Sequence, residues 1–90
     1  MALTFDPAKR DATLAARGLD FADADPVIDG AIFEFVDDRF DYGETRMTTA
    51  GYLGARMVVV VWTERGGDRH IISMRYAHAK EERRFRNRLG

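Results

Sequence analysis

The stretch Arg56-Met57-Val58-Val59-Val60-Val61-Trp62-Thr63-Glu64, then Arg65-Gly66-Gly67-Asp68, then Arg69-His70-Ile71-Ile72-Ser73-Met74-Arg75-Tyr76 decides the fold. From Val58 to Trp62 the residues are apolar without a break, and four of them are β-branched. Side chains alternate between the two faces of a strand, so an unbroken apolar run buries both faces and belongs in the centre of a sheet. Two glycines between charged neighbours form a tight hairpin turn. The run from Arg69 to Tyr76 therefore returns antiparallel beside Arg56 to Glu64.

Working outward, Thr45 to Tyr52 alternates as a further strand before the turn residue Gly54. Asp38 to Gly43 reads as a polar connection, and Ala31 to Asp37 as another strand. Before it the pattern is helical. Asp6-Pro7 is a helix start, because Asp accepts from orphan N–H groups of the first turn and Pro at the first position has no N–H to lose. That helix runs to Arg17 and stops at Gly18, with apolar Leu19 behind it. Asp20 opens a second helix carrying Phe21, Ala24 and Val27 or Ile28, which Pro26 is expected to end or kink. Leu3 to Phe5 is a short strand, and His78 to Leu89 is a basic helix with Phe85 and Leu89 on one stripe. The fold class is α+β: a short strand, two helices, a four-stranded antiparallel sheet and a C-terminal basic helix. The helices are expected on one sheet face, leaving the other free for function.

The chain has 90 residues, of which 46% are hydrophobic and 32% charged, a globular composition that excludes disorder and collagen and leaves room for one domain over residues 1–90. It has no cysteine, which excludes disulfides, thiolate zinc and a cysteine nucleophile. The longest apolar run is far shorter than the ~20 residues of a membrane helix, and the start of the chain lacks a secretory pattern. No membrane association and a cytoplasmic location are expected. The net charge of -1 conceals an asymmetry. Residues 1 to 44 carry 11 acids and 4 bases, whereas residues 45 to 90 carry 10 bases and 4 acids. A basic half points to a polyanion or an acidic protein as partner.

Ten cations fall in that half. Arg46, Arg56, Arg65, Arg69 and Arg75 belong to the sheet, and Lys80, Arg83, Arg84, Arg86 and Arg88 to the last helix. Guanidinium offers a bidentate fork to phosphoryl oxygens. Strict alternation puts Arg69, Ile71, Ser73 and Arg75 on one face and His70, Ile72, Met74 and Tyr76 on the other. Glu44, Arg46 and Thr48 share a face at the start of the Thr45 to Tyr52 strand. His78, where strand gives way to helix, can exchange a proton near neutral pH. His70, Trp62 and Phe35 read as core residues. The histidines lack metal-ligand spacing, and Ser73 lies in mid-strand rather than in a nucleophile elbow.

The elements Phe5-Asp6-Pro7-Ala8-Lys9, Arg17-Gly18-Leu19-Asp20-Phe21, Gly43-Glu44-Thr45-Arg46, Val59-Val60-Val61 with Thr63-Glu64-Arg65-Gly66, and Arg69-His70-Ile71-Ile72-Ser73-Met74-Arg75 with Ala77 and Glu81 together resemble the BrnT family over nearly the whole chain. The resemblance implies a RelE-like fold and a type II toxin whose ribonuclease activity shuts down translation. It also implies neutralisation by a BrnA-type antitoxin, which binds operator DNA, so that the toxin meets DNA only through its partner. Glu44 and Arg46 match the family's Gly-Glu-x-Arg element, Arg65 its Thr-x-Arg-Gly turn, and Arg75 its Ile-Ile-Ser-x-Arg element. Phe5 stands where the family has Trp, Thr13 and Arg17 where it has Asn and His, and Tyr76 where a basic residue is common. These first-helix departures are expected to lie far from the basic strands.

The expected catalytic set is Arg46, Arg75, His78, Glu44 and Tyr76, with RNA held by Arg56, Arg65, Arg69, Lys80 and Arg83, and with no cofactor or metal. Arg46 and Arg75 would stabilise charge on the phosphorane. Arginine stays protonated and is no base, which leaves His78 or Glu44 for that role and Tyr76 or Lys80 as acid or positioning group. The competing reading is a non-catalytic basic module that grips an acidic or DNA-binding protein.

Overall fold

The computed structural model describes residues 2–38 and 43–87. In chain order the elements are β1 (Leu3–Phe5), α1 (Pro7–Arg17), a 3-10 turn (Phe21–Asp23), α2 (Ala24–Asp29), β2 (Phe33–Asp37), β3 (Arg46–Leu53), β4 (Arg56–Arg65), β5 (Asp68–Tyr76) and α3 (Ala79–Asn87). The class is α+β, as the sequence implies. Asp6 caps α1 by accepting from the Ala8 N–H, and Gly18 ends it at φ 69°, a left-handed conformation that suits glycine. Gly66 and Gly67 both have positive φ, the backbone of a two-residue hairpin turn between β4 and β5.

The sheet has five strands in the order β1-β5-β4-β3-β2. β2 to β5 form the expected four-stranded antiparallel meander, and the sheet is mixed because β1 joins its edge parallel to β5, pairing Leu3 with Arg69 and Phe5 with Ile71. Helical segments separate β1 from the other strands, and such a crossover allows the chain to return parallel. Pro26 neither ends nor kinks its helix. It is the third residue of α2, inside the first turn, where an N–H has no intrahelical acceptor to lose. The expected connection at 39–42 and the end of the last helix at 88–90, with Leu89, lie outside the described residues.

One face of the sheet packs Val58, Val60, Ile71 and Met74 against Leu19, Phe21, Ala24, Val27 and Ile28. Phe5 meets Phe21 edge to face, with ring centroids 6.0 Å apart. The expectation that all helices share this face is wrong. The other face has its own cluster, Ala50, Met57, Val59 and Phe85, and α3 lies on it with the Phe85 ring stacked on Phe33 at 5.0 Å. The stripe with Phe85 is amphipathic and finds its apolar partner on whichever face is uncovered. Only the part of this second face beyond α3 is open.

Candidate active site

An irregularity in β5 decides which side chains share the open face. Val61 pairs with Ser73 and Trp62 with Ile71, so Ile72 is an extra residue without a partner on β4. A bulge reverses the alternation beyond it. Arg75 and Ser73, paired with Val59 and Val61, face the α3 side, whereas Ile71 joins Met74 in the opposite core. Arg69 consequently does not share a face with Arg75. It lies over Trp62 and donates to Asp25 at 2.7 Å and Asp29 at 3.1 Å on α2. His70, expected in the core, is half-buried and hydrogen-bonded to Thr4 Oγ1 at 2.8 Å. Burial, followed by the positive charge of Arg65, lowers its pKa. Trp62 packs on the core and its indole N–H donates to Thr49. Phe35 is not core: it is 41% exposed on the edge-lying β2.

On the open face a groove of about 480 Å³ is lined by Phe35, Asp37, Thr48, Val61, Ser73, Arg75 and Glu81, with Val59 in its floor. Arg75 is the cation in that lining. Its guanidinium makes a two-pronged contact with Glu81, at 2.8 and 2.9 Å. Glu81 is the third residue of α3 and also accepts from the His78 backbone N–H at 3.3 Å. This is the reciprocal half of a capping box, with His78 at the N-cap position. The start of α3 thus holds both Arg75 and His78 through one carboxylate. Hydrogen bonding to Arg75 lowers the Glu81 pKa against the opposing effect of its own burial.

The other expected site residues separate into three places. Glu44, Arg46 and Arg65 cluster at the hairpin end of the sheet, where Glu44 receives Arg65 at 2.8 and 3.1 Å and has Arg46 Nε at 3.9 Å. Arg46 shares the open face with Arg75 but lies four residues along β3 from Ala50, which aligns with Val59 and Arg75. Strand geometry puts their Cα atoms roughly 16 Å apart, so one phosphate does not sit between them. Tyr76 is on the opposite face with the Arg56 guanidinium 3.7 Å above its ring. Lys80 and Arg83 are exposed on α3. Of the expected catalytic set, the structure links Arg75 and the backbone of His78 through Glu81 and places Arg46, Glu44 and Tyr76 elsewhere.

Sequence reasoning missed Glu81 as a partner of Arg75, and missed the groove positions of Ser73 and Asp37. The signal for Glu81 was legible in its capping-box distance from His78. No such signal marks Ser73, whose place follows from the bulge.

The model of ribonuclease toxins of the BrnT type, from type II toxin–antitoxin systems, matches residues 5–81. The chain belongs to the BrnT family. No curated protein matches the chain. The BrnT match runs from the last residue of β1 to Glu81 and so takes in β2 to β5 and the Arg75–Glu81 pair. Membership makes the protein an RNA-cleaving toxin with a cognate antitoxin. The reading as a non-catalytic binding module falls with it. No helix among the described residues is long and apolar enough to cross a membrane.

Acid should destabilise this BrnT fold through its ion pairs. Hydrogen bonding to Arg10 and to the Ala22 N–H lowers the Asp20 pKa to about 2, and Arg65 and Arg75 lower those of Glu44 and Glu81. A carboxyl with a depressed folded pKa adds stability that is present above its unfolded pKa and lost as pH falls through the folded one. The melting midpoint should therefore fall as pH drops from about 4.5 toward 2. Replacing Glu81 by Gln should lower the midpoint at neutral pH and flatten that decline. An unchanged decline in the variant would remove Glu81 from this account.

Proposed function

We propose that the groove beside α3 is where the RNA phosphodiester is cleaved, that cleavage needs no metal ion, and that loss of RNA inhibits translation. The observation that carries this reading is Arg75, lining the open groove with its guanidinium aimed by a two-pronged contact to Glu81. RNA brings its own nucleophile. The 2′-OH gives up its proton and attacks phosphorus, the bond to the 5′-oxygen breaks, and that oxygen takes a proton, leaving a 2′,3′-cyclic phosphate and a 5′-OH. Arg75 stabilises the negative charge that builds on the phosphoryl oxygens. His78, exposed at the head of α3, is the side chain that exchanges the proton. Ser73 and Thr48 offer hydroxyls to the sugar and phosphate, and the exposed ring of Phe35 offers a base a stacking surface.

Arg46 and Arg65, with Glu44 between them, form the far end of the RNA path, and Lys80 and Arg83 meet it on α3. Arg69, Arg56 and Tyr76 serve packing in this scheme, because each lies on the opposite face. The cognate antitoxin is of the BrnA type, dimerises and carries the contact with operator DNA, so the toxin touches DNA only through it.

The test is incubation of the purified chain with labelled RNA, with and without chelator. Cleavage to 2′,3′-cyclic phosphate ends at equal rates in both is expected. Cleavage abolished by chelator would overturn the metal-free reaction, and products with 3′-OH ends would overturn attack by the 2′-OH.

A further inference from the structure

The groove does not end at Arg75. Ser73 also lines a second cleft of about 330 Å³, whose other walls are Ile72 on β5 and Lys9, Ala12, Thr13, Ala16 and Arg17 on α1. The two clefts meet at this residue because of the bulge: Ile72 lacks a partner on β4, and the strand turns its edge outward there. β1 stops at Phe5, opposite Ile71, so among the described residues the rest of the outer edge of β5 has α1 beside it and not another strand. The first helix is therefore not remote from the basic strands, contrary to the sequence-based expectation.

Lys9, Thr13 and Arg17 recur every four residues and so share one stripe of α1, the stripe that faces the cleft. Lys9 has no ion-pair or hydrogen-bond partner among the described residues. Arg17 donates one N–H to the Met74 carbonyl at 2.9 Å, which fixes the guanidinium over the strand edge and leaves most of its donors for a ligand. Eight residues of helix separate the two cations by ~12 Å. That span is too long for one phosphate and suits successive phosphates of an extended strand. Small Ala12 and Ala16 between them leave the floor open.

We propose that this stripe, Lys9, Thr13 and Arg17 with Ser73, is a second RNA-binding site that holds the phosphates of nucleotides flanking the one at Arg75. The inference rests on the groove being the place where RNA binds. It adds that the strand leaves the groove over the β5 edge and runs along α1, where two cations set by the helix hold its backbone without reading sequence. Thr13 supplies a hydroxyl to the same backbone.

The test uses a fully 2′-O-methylated RNA of roughly 12 nucleotides, which has no free 2′-OH and so reports binding whether or not the protein cuts. Affinity is measured over a salt series for the parent chain and for Lys9→Gln with Arg17→Gln. Removing two phosphate contacts should weaken binding roughly tenfold at moderate salt and reduce the slope of log affinity against log salt by about 1.4. Lys9→Glu alone, at an exposed position that supports no described contact, should weaken binding at least as much with an unchanged melting midpoint. Parental affinity and slope in these variants would overturn the proposal, as would a parent chain that does not bind the strand. Cleavage of unmodified RNA tests the groove chemistry separately: a chain that cuts normally but loses no affinity in the variants sinks the α1 site alone.

Discussion

Arg75→Ala is expected to lower the rate of RNA cleavage by about 10²- to 10³-fold and to relieve growth arrest, whereas Arg69→Ala six residues away should leave cleavage within about twofold of the parent. A preorganised cation aimed at developing charge contributes ~3 to 4 kcal/mol to the barrier, and its loss is felt in kcat more than in KM. Arg75 is placed for that, in the groove with Glu81 behind it. Arg75→Lys should recover little, because an ammonium keeps the charge but not the two-pronged geometry toward Glu81. Arg69 has an Arg side chain on the same strand but faces α2, with 15% of its side chain exposed and its charge met by Asp25 and Asp29. Its removal should instead cost roughly 1 to 2 kcal/mol of stability, seen as a lower melting midpoint. Equal losses of cleavage in the two alanine variants, at equal protein stability, would remove the assignment of the active face.

This pair of residues also shows how far the sequence could be read. The unbroken run at Val58 to Trp62, the Gly66-Gly67 turn and the Asp6-Pro7 start each carry a local physical cause, and each produced the expected element. Strict alternation along β5 was the step that failed. It placed Arg69 with Arg75 because nothing in Ile71-Ile72-Ser73 announces that one of these residues is extra. The bulge is a property of the pairing between β4 and β5, where Val61 takes Ser73 and Trp62 takes Ile71. The faces of β5, and with them the membership of the site, became legible only once that pairing was known.

The charge asymmetry has a similar outcome. An acidic first half and a basic second half suggested cations waiting for a polyanion. Much of that charge is spent inside the fold: Arg69 on Asp25 and Asp29, Arg65 on Glu44, and Arg75 on Glu81. Asp25, Asp29 and Glu44 of the acidic half serve as partners of the basic sheet, whereas Glu81 comes from the basic half itself. Arg75 remains special because its carboxylate partner shares the open groove, so a phosphate can approach the guanidinium from the solvent side.

Gly51→Ala should destabilise the protein by about 3 kcal/mol, although alanine in place of glycine within a strand ordinarily stabilises by reducing the freedom of the unfolded chain. Gly51 is buried in β3, opposite Val58, on the face covered by α2. A methyl group there would overlap the Val27 carbonyl oxygen and press on the Val27 Cγ1 atom at 3.2 Å. The obstacle is backbone, so no rotamer change relieves it. Either α2 lifts, or β3 bends away and strains its pairing with β4. Lifting α2 also pulls Asp25 and Asp29 from Arg69 and opens the Val27 and Ile28 packing against the sheet. For a domain of this size the melting midpoint should fall by roughly 12 to 24 °C, and thermal unfolding followed by circular dichroism measures it. Ala50→Gly, the neighbouring change on the opposite face, creates no such overlap and should cost only about 1 kcal/mol. A Gly51→Ala protein that melts at or above the parent temperature would mean that α2 does not press on β3 at this point.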